Sequence, residues 1–111
     1  MLRRRDYLAA NAGRRAPMPG FVLLVRQRAA DELADTPPQA MRIGITVSKK
    51  VGNAVVRNRM KRRFRALAAE LLPEQGIAGA DHVLIGRNSG IERPFDDLKA
   101  DLSRALRKVR R

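Results

Sequence analysis

Residues 56–71 combine a helical spacing of apolar side chains with an unusual density of positive charge. Asn53 is a favourable helix N-cap and Pro73 a helix terminator, so we predict a helix over residues 53–72. At about 100° per residue, its apolar side chains fall within one arc, as expected for a helix packed against a core. That arc contains Val56, Met60, Phe64, Leu67 and Leu71.

The remainder of this helix surface is cationic. Six of the nine residues 57–65 are Lys or Arg, and Glu70 is the only acidic residue before the helix ends. Like charges one turn apart destabilise a helix by about 0.2–0.5 kcal/mol per pair. A bound polyanion relieves this repulsion, and the planar guanidinium of Arg grips phosphate bidentately. We therefore interpret this face as a nucleic-acid contact, with a solvated basic face as the alternative.

The overall charge supports a polyanionic partner. The 111 residues, a length that suits one domain, carry 24 Lys and Arg against 11 Asp and Glu, a net charge of +13. An anionic membrane is the weaker candidate, because the longest apolar run, residues 21–25, is far below the ~20 residues of a membrane span. No apolar stretch follows the basic residues 3–5, so we expect no secretory signal.

The absence of cysteine excludes disulfides, thiolate zinc sites and cysteine nucleophiles. A cytoplasmic protein is the simplest expectation. We predict one domain over residues 1–111 with basic arms at 1–5 and 107–111, either of which contacts RNA or is a solvated tail. An acidic loop at 31–35 is expected to point away from the nucleic acid. The other predicted elements are a helix over 3–10, strands over 21–28, 41–48 and 81–86, and an amphipathic helix from 94 to 109.

Three further patterns have a structural and a functional interpretation. His82 is expected to be a partly exposed histidine at a strand end rather than a general base or metal ligand. Asp97 and Asp101 are expected to complement a helix dipole rather than share a metal ion. Gly76 and Gly79 have the spacing of a KH-domain backbone clamp, but the predicted strand after them favours a plain loop. We therefore predict no catalytic residue and no metal site on the protein.

The segment VSKKVGNAVVRNRMKRRFR, residues 47–65, resembles the signature of the bacterial ribonuclease P protein family. The resemblance is dense over residues 42–65 and looser over the rest of the chain. It implies an α/β fold, an α+β sandwich with a four-stranded sheet in the order αβββαβα. A left-handed βαβ crossover, as in the second domain of a small-subunit ribosomal protein, is also implied.

The same resemblance implies a non-catalytic subunit of a ribonucleoprotein endoribonuclease that removes the 5′ leader of precursor tRNA. The catalytic RNA and its Mg²⁺ ions would cleave the bond, and the protein itself would bind no cofactor. The implied partners are that RNA and precursor tRNA, with no membrane and no small-molecule substrate. A structural ribosomal protein and a protein-only nuclease are the alternatives.

The implied site residues form two groups. A leader cleft would include Tyr7, with Asn11 and Leu24 standing where the family often has further aromatic residues. Since base stacking contributes about 1–3 kcal/mol per base, these departures imply weaker stacking on the leader. The residues implied to contact the catalytic RNA are Lys49, Lys50, Asn53, Arg57, Asn58, Arg59, Lys61, Arg62 and Arg65.

Overall fold

The structure is a computed structural model that describes residues 13–27 and 41–110. The predicted helix over 3–10 and the acidic loop at 31–35 lie outside these ranges. A short 3₁₀ turn, Asn88–Gly90, precedes the last helix. The main elements are β1 (Arg14–Pro17), β2 (Phe21–Gln27), β3 (Arg42–Thr46), α1 (Ala54–Gln75), β4 (Ala80–Gly86) and α2 (Phe95–Arg110).

The four strands form one mixed sheet in the order β1-β2-β4-β3. Strand β4 pairs antiparallel with β2 and parallel with β3, so α1 is the crossover between two parallel neighbours. The implied four-stranded α/β fold is confirmed, while the handedness of the crossover stays a prediction. Strand β1 is not among the strands predicted from the pattern, because its two arginines and Pro17 show no apolar alternation. It forms by pairing with β2, with Ala16 opposite Leu23.

The main core lies between one face of the sheet and the two helices. Phe21, Leu23 and Val25 alternate along β2 toward this core, where the Phe21 and Phe64 rings meet edge to face at 5.9 Å. Aromatic pairs favour such an arrangement. The opposite face of the sheet has its own buried group, formed by Val22, Leu24 and Val83. The sheet is therefore apolar on both faces at its centre.

Helix α1 begins as predicted but ends later. The Asn53 side-chain oxygen accepts a hydrogen bond from the Val56 N–H at 3.0 Å, which confirms the N-cap. The prediction that Pro73 closes the helix was wrong, because α1 continues to Gln75. A proline removes one backbone donor, and burial of Leu72 keeps the last turn in place. The Gly76 N–H then closes that turn on the Leu72 carbonyl at 2.8 Å.

The expectation of a partly exposed His82 was also wrong. Only 1% of His82 is exposed, because β4 lies between β2 and β3 and residue 82 faces inward. Its Nε2 accepts a hydrogen bond from the Ile77 N–H at 3.0 Å. This contact ties the connection after α1 to β4, and Gly79 adopts a positive φ of 73° in that connection. The two glycines therefore belong to a loop before a strand, as predicted.

Asp101 differs from the expected helix-dipole acid, whereas Asp97 is exposed in the first turn of α2 as expected. Asp101 is fully buried, and its carboxylate accepts a hydrogen bond of 2.6 Å from Arg93 Nε and another of 2.6 Å from Arg104 Nη2. Burial alone would raise the pKa of Asp101, but the hydrogen bonds from Arg93 and Arg104 outweigh it and hold the pKa below its ordinary value. Residues 107–110, predicted as an arm, continue α2.

Candidate nucleic-acid interface

Five cations of α1 lie at or near the surface, and no acidic side chain of the described residues pairs with them. Arg59, Arg62 and Arg65 are exposed, and Arg57 and Lys61 are half-buried. Within residues 13–27 and 41–110, none of these five cations forms a salt bridge. The Nε of Arg57 is buried and has no hydrogen-bond partner among the described residues. The repulsion noted in the sequence is therefore unrelieved in this part of the structure.

Arg63 has a different role from its neighbours. Its guanidinium donates hydrogen bonds to the carbonyl oxygens of Gly90 at 3.2 Å and Ile91 at 3.0 Å, and to that of Arg93. These contacts fasten the loop between β4 and α2 onto α1. The charge density of the sequence does not reveal this role, because the carbonyl oxygens belong to a loop much later in the chain.

A groove lies between α1 and β3. Asn58, Lys61 and Arg65 line it on the helix side, residues 41–45 line the other side, and its volume is about 540 Å³. Strand β3 is the last strand of the described sheet on this side. An anionic chain in this groove would meet cations along the helix wall and, apart from Arg42, apolar residues along the strand wall.

The turn before α1 extends the basic surface. The Val51 N–H bonds the Ser48 carbonyl at 3.1 Å, which closes the turn, and Lys49 and Lys50 are exposed on it. Asn53 follows, but its side-chain oxygen is already engaged in capping α1, which leaves its amide group for another partner. Three of the site residues implied by the resemblance thus lie together at the helix N-terminus.

The second face of the sheet has an apolar centre and a charged border. Leu24 lies there and is only 1% exposed. At the border, buried Asp81 accepts two hydrogen bonds of 2.7 Å from Arg42, and Arg26 lies 4.0 Å away. Tyr7 and Asn11, the other two residues implied for the leader cleft, lie outside the described ranges.

The described ranges contain no metal-binding cluster. Among those residues, no group of three or more His, Asp or Glu side chains is placed to hold a metal ion. None of the described helices has the length and hydrophobicity of a membrane-spanning segment. A small α/β domain with unpaired cations along one exposed helix has the features of the nucleic-acid-binding class.

Comparison with known proteins defines the family. The Ribonuclease P family model matches residues 1–110. The ribonuclease P protein component of Erythrobacter litoralis is 56% identical over 108 residues, which cover 97% of this chain and 83% of that protein. The corresponding protein of Ruegeria pomeroyi is 48% identical, covering 96% and 82%. The chain therefore belongs to the bacterial ribonuclease P protein family, the protein component of the endoribonuclease that processes the 5′ end of precursor tRNA.

Solved structures support the same assignment. The ribonuclease P protein of Staphylococcus aureus superposes with a TM-score of 0.75 at 25% identity, covering 97% of this chain and 92% of that one. The Thermotoga maritima protein gives 0.75 at 28% identity, covering 97% and 96%. The resemblance in residues 47–65 is confirmed as membership of the family, and the ribosomal alternative is set aside.

Proposed function

We propose that the α1 cations and the turn before them dock the catalytic RNA of ribonuclease P. The observation that carries this proposal is the set of five α1 cations without acidic partners in the described structure. RNA phosphates would supply the missing counter-charges, and release of their condensed counterions would favour binding. The proposed contact residues are Lys49, Lys50, Asn53, Arg57, Asn58, Arg59, Lys61, Arg62 and Arg65.

The packing of α1 suits this role. Phe64 and Leu67 are fully buried, so the helix is fixed on the sheet while its opposite face is open to solvent. Cations on a fixed helix lose less conformational freedom on binding than cations on a mobile segment. Arg59 and Arg62 stand on the open face. Lys61 and Arg65 would hold a strand of RNA that enters the groove beside β3.

We further propose that the second face of the sheet receives the single-stranded 5′ leader. The support is the apolar centre at Leu24, Val22 and Val83. In this structure Leu24 is buried, so it would support a wall of the cleft from beneath rather than touch the leader itself. Tyr7 would stack on a leader base, and Asn11 would offer a polar contact where stacking is lost.

In this proposal the RNA subunit carries out the bond cleavage. The catalytic RNA with Mg²⁺ cleaves the phosphodiester bond in the cytoplasm, and the protein contributes no catalytic residue. The protein instead raises the affinity for leader-bearing substrate and stabilises the folded RNA at low magnesium.

Reconstitution tests the docking surface. The catalytic RNA is mixed with increasing protein at low magnesium, and 5′ maturation of precursor tRNA is followed. We expect Arg59→Gln/Arg62→Gln to raise the protein concentration needed for half-maximal activity and to leave the plateau rate unchanged, because only docking is weakened. Lys99→Gln is the control, since it removes a cation of α2 that already pairs with Glu70 at 3.2 Å. A lowered plateau, or an unchanged titration, would contradict the proposal.

The leader cleft has a separate test. Tyr7→Ala in the holoenzyme should weaken binding of precursor tRNA and leave binding of mature tRNA unchanged, because only the precursor carries a leader. Loss of one stacked base, worth about 1–3 kcal/mol, corresponds to roughly a 5- to 150-fold lower affinity. Equal losses for both tRNAs would argue against a leader contact at Tyr7.

A further inference from the structure

We propose that a second group of cations, on α2 and the loop before it, forms a phosphate-binding groove that extends the contact with the catalytic RNA beyond α1. This inference rests on the proposed docking of that RNA. The groove, called here the α2 groove, has a volume of about 380 Å³. It is lined by Pro17, Met18, Pro19, Arg87, Arg104 and Lys108.

All the charged side chains that line the α2 groove are cationic. Arg87, Arg104 and Lys108 are all exposed, and none of the described residues that line the groove is acidic. Arg104 and Lys108 stand one helical turn apart, where like charges destabilise an isolated helix. The like-charge spacing of Arg104 and Lys108 is therefore the same as that found along α1.

Two of the three cations are held in place by the protein. Arg87 donates from Nη1 to the Met18 carbonyl at 3.2 Å. Arg104 donates from Nη2 to Asp101 at 2.6 Å. Each guanidinium has further N–H donors, so an anion can bind the remaining side of the fork. Fixed guanidinium groups lose less conformational freedom when a phosphate binds.

The acidic partner of Arg104 does not cancel the charge of the groove. Asp101 is shared with Arg93, whose Nε lies 2.6 Å from the other carboxylate oxygen. Two guanidinium groups and one carboxylate leave a net charge of +1, to which Arg87 and Lys108 add. The groove is therefore cationic overall, and an Arg fork with a neighbouring Lys suits phosphate oxygens.

The α2 groove is connected to the α1 surface through the β4–α2 loop. Arg87 begins this loop, and its backbone N–H bonds the Gly20 carbonyl at 3.0 Å. Arg63 of α1 fastens the same loop at Gly90 and Ile91. A folded RNA that lies on α1 can thus continue across the loop into the groove. This continuity assigns the phosphates to the catalytic RNA rather than to precursor tRNA.

Salt-dependent binding of the full chain to the catalytic RNA tests the inference. The variants are Lys108→Gln, which removes a side chain with no described ion pair, and Arg87→Gln. Each should lower the slope of log affinity against log salt by about 0.7–0.9, so that the loss of affinity between 50 and 200 mM salt becomes about three-fold smaller. Lys99→Gln, the same change on the same helix outside the groove, should keep the slope of the unmodified protein. If Arg87→Gln has a lower urea midpoint than the unmodified protein, the test rests on the salt slope of Lys108→Gln alone.

Two results would overturn the inference. One is a slope for Lys108→Gln equal to that of Lys99→Gln. The other is weaker binding of precursor tRNA to the holoenzyme with unchanged binding to the catalytic RNA, which would assign the groove to the substrate. Arg59→Gln/Arg62→Gln, measured in parallel, separates the two proposals. A slope lowered by the α1 variant alone supports docking on α1 and refutes the groove, whereas no change in any variant refutes both.

Discussion

Two adjacent arginines of α1 should behave in opposite ways when replaced by alanine. Arg63 donates to the carbonyl oxygens of Gly90, Ile91 and Arg93, whereas Arg62 is exposed and forms no described salt bridge. Hydrogen bonds that involve a charged group contribute about 1.5–3 kcal/mol each, and three carbonyls share one guanidinium here. We therefore expect Arg63→Ala to lower the free energy of unfolding by about 2–4 kcal/mol. Arg62→Ala should change it by less than about 0.5 kcal/mol.

Urea denaturation and RNA binding together measure this difference. With an m-value of about 2 kcal/mol/M, typical of a small protein, Arg63→Ala should lower the urea midpoint by about 1–2 M. Its affinity for the catalytic RNA, measured where the variant is folded, should stay close to that of the unmodified protein. Arg62→Ala should keep the midpoint and lose affinity. If Arg63→Ala leaves the midpoint unchanged, or if both variants lose affinity equally, the division between an anchoring and a docking arginine is wrong.

Two further predictions concern stability. The stability that depends on the Asp101 carboxylate is present above the ordinary carboxyl pKa of 3.8 and is lost as pH falls through the lower pKa of the folded state. Below about pH 4, the free energy of unfolding should therefore fall more steeply with pH in the unmodified protein than in Asp101→Asn. An acid-induced loss of stability equal in both chains would contradict this. Asn53→Ala should lower the free energy of unfolding by about 0.5–2 kcal/mol through loss of the helix cap, measured by thermal unfolding. Asn58→Ala is the matched control, because it makes the same change on the exposed face of α1 without removing a cap. Equal effects of the two changes would rule out a capping role for Asn53.

The sequence pattern predicted the helices and strands whose own residues carry a clear apolar pattern. The apolar arc containing Met60, Phe64 and Leu67 predicted α1, and the continuous apolar run of residues 21–25 predicted β2. Strand β1 could not be found in this way, because only Ala16 of its four residues is buried and pairing with β2 creates it. Tertiary pairing, rather than local preference, decides such short edge strands.

The candidate site was predicted only in part, because some of its contacts join residues that are far apart in the sequence. Charge density identified α1, but it could not separate Arg63 from Arg62, because the carbonyls that Arg63 binds come from a loop 27 to 30 positions later in the chain. Burial of His82 depended in the same way on the central place of β4 in the sheet. The α2 groove combines residues from the end of β1, the β1–β2 turn, the β4–α2 loop and α2, and no local pattern brings these together.

The most direct test of the account is the number of RNA phosphates that α1 neutralises. Binding of the catalytic RNA is measured from 50 to 200 mM salt for the unmodified chain and for a variant with glutamine at positions 57, 59, 61, 62 and 65. Since each neutralised phosphate contributes about 0.7–0.9 to the slope of log affinity against log salt, we expect that slope to be lower by about four in the variant. An unchanged slope in a variant that remains folded would show that the RNA does not lie against this helix.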